Sequence, residues 1–123
     1  MTIVPPVFIV DDEDAVRTAL GKLLRAIGVA AETFASAEAF LASYTDGRDG
    51  CLLVDLRMPG MSGLDLIEEL QRRGVRLPSI VMTGHADEAS LEERLEALRP
   101  IGFLEKPFTL AQLKQMLDRV CSA

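Results

Sequence analysis

The chain has 123 residues, 49% of them hydrophobic, and a formal net charge of −6. That length suits one domain spanning 1–123, and an acidic balance without a long basic run argues against direct nucleic-acid binding by this chain, because phosphate contacts need clustered Lys and Arg. No apolar stretch approaches the roughly 20 residues of a membrane helix, and Met1–Pro6 lacks the charged lead and apolar core of a signal peptide.

Two periodicities alternate along the chain. Val7 to Asp11 is a short apolar run ending in acid. Val16, Leu20, Leu23, Leu24 and Ile27 then make one helix face, closed by Gly28 as a C-terminal stop. Val29 to Phe34 reads as a second strand, and Ser36 caps a short helix carrying Ala37, Phe40 and Leu41. Asp46 to Gly50 (DGRDG) is a loop signal, followed by a third strand, Cys51 to Asp55, again ending in acid. Leu64, Ile67 and Leu70 mark helix 3, which stops at Gly74, and Leu77 to Met82 is strand 4. Leu91, Leu95 and Leu98 mark helix 4, ended by Pro100, and Ile101 to Glu105 is strand 5. Thr109 to Gln112 matches a capping box, and Leu110, Leu113, Leu117 and Val120 face inward from helix 5. The two cysteines, Cys51 and Cys121, form no CxxC site or disulfide framework, so reduced thiols and a cytoplasmic location are expected.

Five short apolar strands, each followed by a helix, suit an α/β fold with a parallel sheet covered on both faces. Right-handed crossovers favour an open doubly wound sheet. In such a sheet, ligands bind beyond the carboxyl ends of the strands. Those ends carry Asp11 and Asp12, Asp55, Thr83, and Glu105-Lys106-Pro107. Three carboxylates held together repel unless one keeps a proton or a cation joins them. Hard oxygen ligands suit Mg²⁺, with no His or Cys cluster to attract zinc. A carboxylate beside that ion can act as a covalent nucleophile toward a phosphoryl donor. The Lys106 ammonium and the Thr83 hydroxyl can then meet the transferring oxygens.

Asp11-Asp12, the run from Asp55 to Gly63 (DLRMPGMSG), Thr83-Gly84 and Lys106-Pro107-Phe108 together resemble the signature of CheY-like response-regulator receiver domains. The DLRMPGMSG, TGH and FLEKPF wording is similar to the FixJ-like branch, whose members often carry a helix-turn-helix output domain. The resemblance implies a flavodoxin-like five-stranded parallel sheet with strand order 2-1-3-4-5, and Asp55 as the phosphoacceptor. It implies a metal set of Asp12 directly, Asp11 largely through water, Asp55, and the backbone carbonyl of Arg57, with Mn²⁺ as a substitute for Mg²⁺. Thr83 and Lys106 would contact the phosphoryl group, Phe103 would be the aromatic switch residue, and Lys106-Pro107 would be cis. The Arg57 side chain and His85 would be modulators of phosphoryl lifetime.

The implied partners are a sensor histidine kinase or phosphotransfer protein, and a downstream output domain or partner protein. A homodimer through helix 4, strand 5 and helix 5 is also implied, and the chain would be a signalling module, not an enzyme. The corner from Leu98 to Gly102 is one residue longer than is usual in the FixJ branch, and helix 4 carries Glu88, Glu92, Glu93 and Glu96, so the usual dimer mode is not assumed. Two other classes fit less well. A haloacid-dehalogenase-type hydrolase needs a second Asp where Arg57 stands, and a scaffold that no longer uses phosphorylation would not need the complete site.

Overall fold

The computed structural model describes residues 6–45, 47–84 and 101–120. Five strands, β1 (Val7–Val10), β2 (Ala31–Phe34), β3 (Cys51–Asp55), β4 (Ser79–Thr83) and β5 (Ile101–Glu105), form one parallel sheet in the order β2-β1-β3-β4-β5. The helices between them are α1 (Asp14–Ala26), α2 (Ala37–Ser43) and α3 (Gly63–Arg72), and a C-terminal helix spans Leu110–Val120. The expected doubly wound order is therefore observed. The predicted helix at Leu91–Leu98, and the corner as far as Pro100, lie outside the described residues.

Successive strand residues feed two separate cores, which is why the strands show no polar alternation. Phe8, Val10, Leu52, Val54 and Val81 pack on one face with residues of α2 and α3. Val7, Ile9, Cys51, Leu53, Ile80, Met82 and Leu104 pack on the other with Leu20 and Leu24 of α1 and Leu113 and Leu117 of the C-terminal helix. Both faces of β1, β3 and β4 are buried.

Caps and stops follow the local chemistry. Ser36 accepts from the Ala39 amide at 3.0 Å, and Thr109 and Gln112 exchange both bonds of a capping box. Ser62 and Asp65 form a second box at the start of α3, which an S/T-x-x-E/Q pattern does not reveal. Gly28 and Gly74 end α1 and α3 with φ of 80° and 77°, where only glycine is unstrained. Two strands start later than expected. The Val29 amide is still bonded to the Leu24 carbonyl, as part of the helix ending, so β2 opens at Ala31. Pro78, which lacks an amide donor, stands immediately before β4.

Cys51 corrects the expectation of reduced thiols, because it is disulfide-bonded. Its side chain lies in the second core cluster, among residues of the C-terminal helix. The chain's other cysteine, Cys121, lies outside the described residues.

The loop before β3 is closed by aromatic packing. The Phe8 ring lies 5.4 Å from Phe40 and 6.3 Å from Phe34, measured between centroids, with the Arg48 guanidinium 4.9 Å above it. Arg48 is held in turn by an ion pair with Glu32. A Cβ at Gly50 would lie 2.1 Å from this ring, which has no room to swing away. Gly50→Ala is expected to lower unfolding free energy by about 1–3 kcal/mol, the usual cost of overpacking. Urea denaturation checks this, and an unchanged midpoint would contradict the packing described.

Candidate functional site

The chain order reverses at β1, which lies between β2 and β3. The strand ends of β1 and β3 therefore bound a crevice, with Asp11 and Asp12 just after one and Asp55 ending the other. Ligand oxygens of these three carboxylates lie within 4.8 Å of one another. Asp11 is fully buried, Asp55 is nearly so, and Asp12 is exposed.

Each acid is held differently. Asp11 Oδ1 accepts from the Glu13 amide at 2.9 Å, and the Asp11 carbonyl accepts from Arg17 Nη1 at 2.6 Å. Asp11 Oδ2 is buried and accepts no hydrogen bond among the described residues. The Lys106 ammonium stands 3.5 Å from that oxygen and 3.4 Å from Asp55 Oδ1. Lys106 is brought there from the end of β5, where its amide donates to the Thr83 carbonyl at 2.7 Å. The Lys106–Pro107 bond is cis.

Burial is the largest influence on Asp55 and raises its carboxyl pKa above the ordinary 3.8. The Lys106 charge pulls it back down, and Asp11 and then Asp12 push it up. The formal charges are three carboxylates against one ammonium, a surplus of two negative charges. A divalent cation would balance this surplus. It would also give Asp11 Oδ2, which faces Lys106 but accepts no hydrogen bond among the described residues, a direct ligand contact, so the residues present fit a hard, oxygen-liganded ion.

The other sequence candidates are more scattered. Thr83 is buried at the end of β4, one strand over from Asp55. Arg57 is exposed, two residues beyond Asp55. Phe103 is partly buried in β5 and packs against the α2/α3 core. His85 lies outside the described residues. Arg17, which also pairs with Asp14, belongs to none of the sequence motifs. Its spacing of three from Asp14 in the first turn of α1 is the only signal it carries.

Residues 7–118 match the response regulator receiver domain family. Among curated relatives, the transcriptional regulatory protein FixJ of Azorhizobium caulinodans is 47% identical over 103 residues, covering 84% of this chain and 48% of that protein. FixJ of Rhizobium meliloti is 43% identical over 113 residues, covering 92% of this chain and 55% of that protein. The chain thus spans about half the length of these curated relatives. Among solved structures, FixJ-N superposes with a TM-score of 0.84 at 40% identity, covering 94% of this chain and 91% of that one. Vibrio cholerae chemotaxis protein CheY4 superposes with a TM-score of 0.86 at 25% identity, covering 96% and 99%.

Proposed function

The chain belongs to the response regulator receiver domain family, and from that premise we propose that Asp55 accepts a phosphoryl group in a Mg²⁺-assisted reaction. Residues 1–123 act as one receiver domain, a switch in a two-component system and not an enzyme turning over a substrate pool. The observation that carries the reading is the Lys106 ammonium held at 3.4 Å from the Asp55 carboxylate and 3.5 Å from that of Asp11.

Asp11, Asp12, Asp55 and the Arg57 carbonyl would hold the ion, with Mn²⁺ as a substitute. When bound, Mg²⁺ supplies a Lewis acid that offsets charge on the transferring oxygens. The protein's own groups do the rest. A carboxylate oxygen of Asp55 attacks phosphorus, the bond from phosphorus to the donor nitrogen breaks, and its electron pair returns to the imidazole of a phosphohistidine. Lys106, already beside Asp55, meets a phosphoryl oxygen, and the Thr83 hydroxyl donates to another. The departing charge pattern differs from the starting one, so the equilibrium of the surface around β5 and the C-terminal helix shifts. Phe103, next to Leu104 in that strand, is the aromatic that would move. The Arg57 side chain and His85 would tune phosphoryl lifetime from the open side of the site.

The partner is a sensor histidine kinase or phosphotransfer protein. An output domain or partner protein reads the switched surface, through a homodimer on that surface or without one. The cytoplasm is the proposed location by analogy with the family, since the expectation of reduced thiols fails at Cys51. No helix among the described residues is long and apolar enough to cross a membrane.

The test is a reaction with acetyl phosphate. With Mg²⁺, one phosphoryl group per chain is expected on the peptide containing Asp55, labile to hydroxylamine as an acyl phosphate. Chelation of the ion should abolish it. A label on any other residue, or uptake indifferent to chelation, would refute the assignment.

A further inference from the structure

Gly63 opens α3 directly behind the end of β3, and its φ is not positive. No left-handed backbone therefore calls for glycine here. The reason is steric. A Cβ at this position would lie 2.5 Å from the Asp55 carbonyl oxygen, 3.2 Å from the Asp55 carbonyl carbon and 3.3 Å from Leu56 Cα. The first contact is about 0.8 Å shorter than the ~3.3 Å at which carbon and carbonyl oxygen ordinarily meet.

Neither side can easily give way. The Gly63 amide donates to the Leu56 carbonyl at 3.0 Å, and the Ser62–Asp65 capping box closes the same turn. Leu64, Leu66, Ile67 and Leu70 anchor α3 in the core. On the other side, β3 is paired along both edges, and the Leu56 amide is bonded to the Met82 carbonyl at 2.8 Å. A Cβ at residue 63 would therefore press directly on the Asp55–Leu56 peptide, and any relief must be shared between the start of α3 and the backbone that carries the Asp55 side chain.

We propose that Gly63 is a positioning residue for phosphoryl transfer: the side chain it lacks lets α3 seat against the Asp55 peptide and so sets where the Asp55 carboxylate meets the cation and the donor. This rests on Asp55 as the phosphoacceptor. A displacement approaching 1 Å at a reacting group can cost about a hundredfold in rate.

The test compares Gly63→Ala with Gly50→Ala, both in a Gly21→Ala background. Gly21 lies inside α1, where the three atoms nearest to a Cβ all belong to the Arg25 side chain, the closest at 3.4 Å, and where alanine stabilises the helix. Gly50→Ala overpacks the Phe8 ring, at the other end of β3 from the site, and controls for lost stability. Three quantities are read: the Mg²⁺ dissociation constant by titration calorimetry, the rate of phosphoryl uptake from acetyl phosphate, and Tm. Gly63→Ala should weaken Mg²⁺ binding about tenfold and slow uptake by about 10- to 100-fold, while Gly50→Ala lowers Tm and leaves both within about twofold. Gly63→Ala with binding and uptake like the parent would overturn the proposal. So would losses in Gly50→Ala matching those in Gly63→Ala, or a Gly63→Ala chain that fails to fold while Gly50→Ala folds. A parent chain that neither binds Mg²⁺ nor takes up phosphoryl would bring down the phosphoacceptor reading itself, and this proposal with it.

Discussion

Asp55→Asn should reduce phosphoryl uptake to background and, in metal-free buffer near neutral pH, make the fold more stable. The first effect follows because a carboxamide offers no anionic oxygen to attack phosphorus. The second follows from the raised pKa of Asp55, whose leading cause is burial. Between its unfolded value of 3.8 and its higher folded value, the folded chain holds more protons than the unfolded one. Stability therefore falls as pH rises through that window, and the full penalty of the buried charge is present above it. Asparagine carries no such charge, so the variant should lack this downward step. Urea midpoints across the acid-to-neutral range read the difference. Adding Mg²⁺ should stabilise the wild type by mass action and do much less for the variant. Parallel pH profiles for the two proteins would show that burial does not govern Asp55.

Lys106→Ala separates the two jobs of the site. Removing a preorganised charge aimed at the transferring oxygens should slow uptake from acetyl phosphate by about a hundredfold. Cation binding should move the opposite way. The three carboxylates would carry a surplus of three negative charges in place of two, with no ammonium 3.5 Å from Asp11 Oδ2. Mg²⁺ should bind more tightly, even as the reaction slows. The pKa of Asp55 should also rise further, since Lys106 lowers it both by charge and by hydrogen bonding. Calorimetric affinity and uptake rate, measured on one preparation, give the sign of each change. If both quantities fall together, Lys106 is holding the site's shape and is not acting through its charge.

The site was legible because strand ends are legible. Apolar runs stopping at Asp11, Asp55 and Thr83, and before Lys106, give the four positions that a parallel doubly wound sheet gathers at one edge. The glycine stops at Gly28 and Gly74 and the caps at Ser36 and Thr109 were equally readable, because each depends on a few neighbouring residues. What escaped depends on contacts that no local sequence pattern marks, most of them between distant segments. Arg17 reaches the Asp11 carbonyl across the turn from β1 to α1, and nothing in its neighbours announces that contact. Gly50 faces Phe8 from 42 positions away, and Cys51 enters a cluster with the C-terminal helix.

Hydrophobic period and strand-end chemistry thus determined the element order over the described residues, the doubly wound sheet and the identity of the acids, because these are recorded in residues adjacent in the chain. Tertiary structure alone decided which acid is buried and which exposed, which oxygen accepts no hydrogen bond among the described residues, and how near the ammonium comes. Those quantities arise where β1, β3 and β5 converge through space, and the energy of a charge depends on that surrounding, not on its position in the chain.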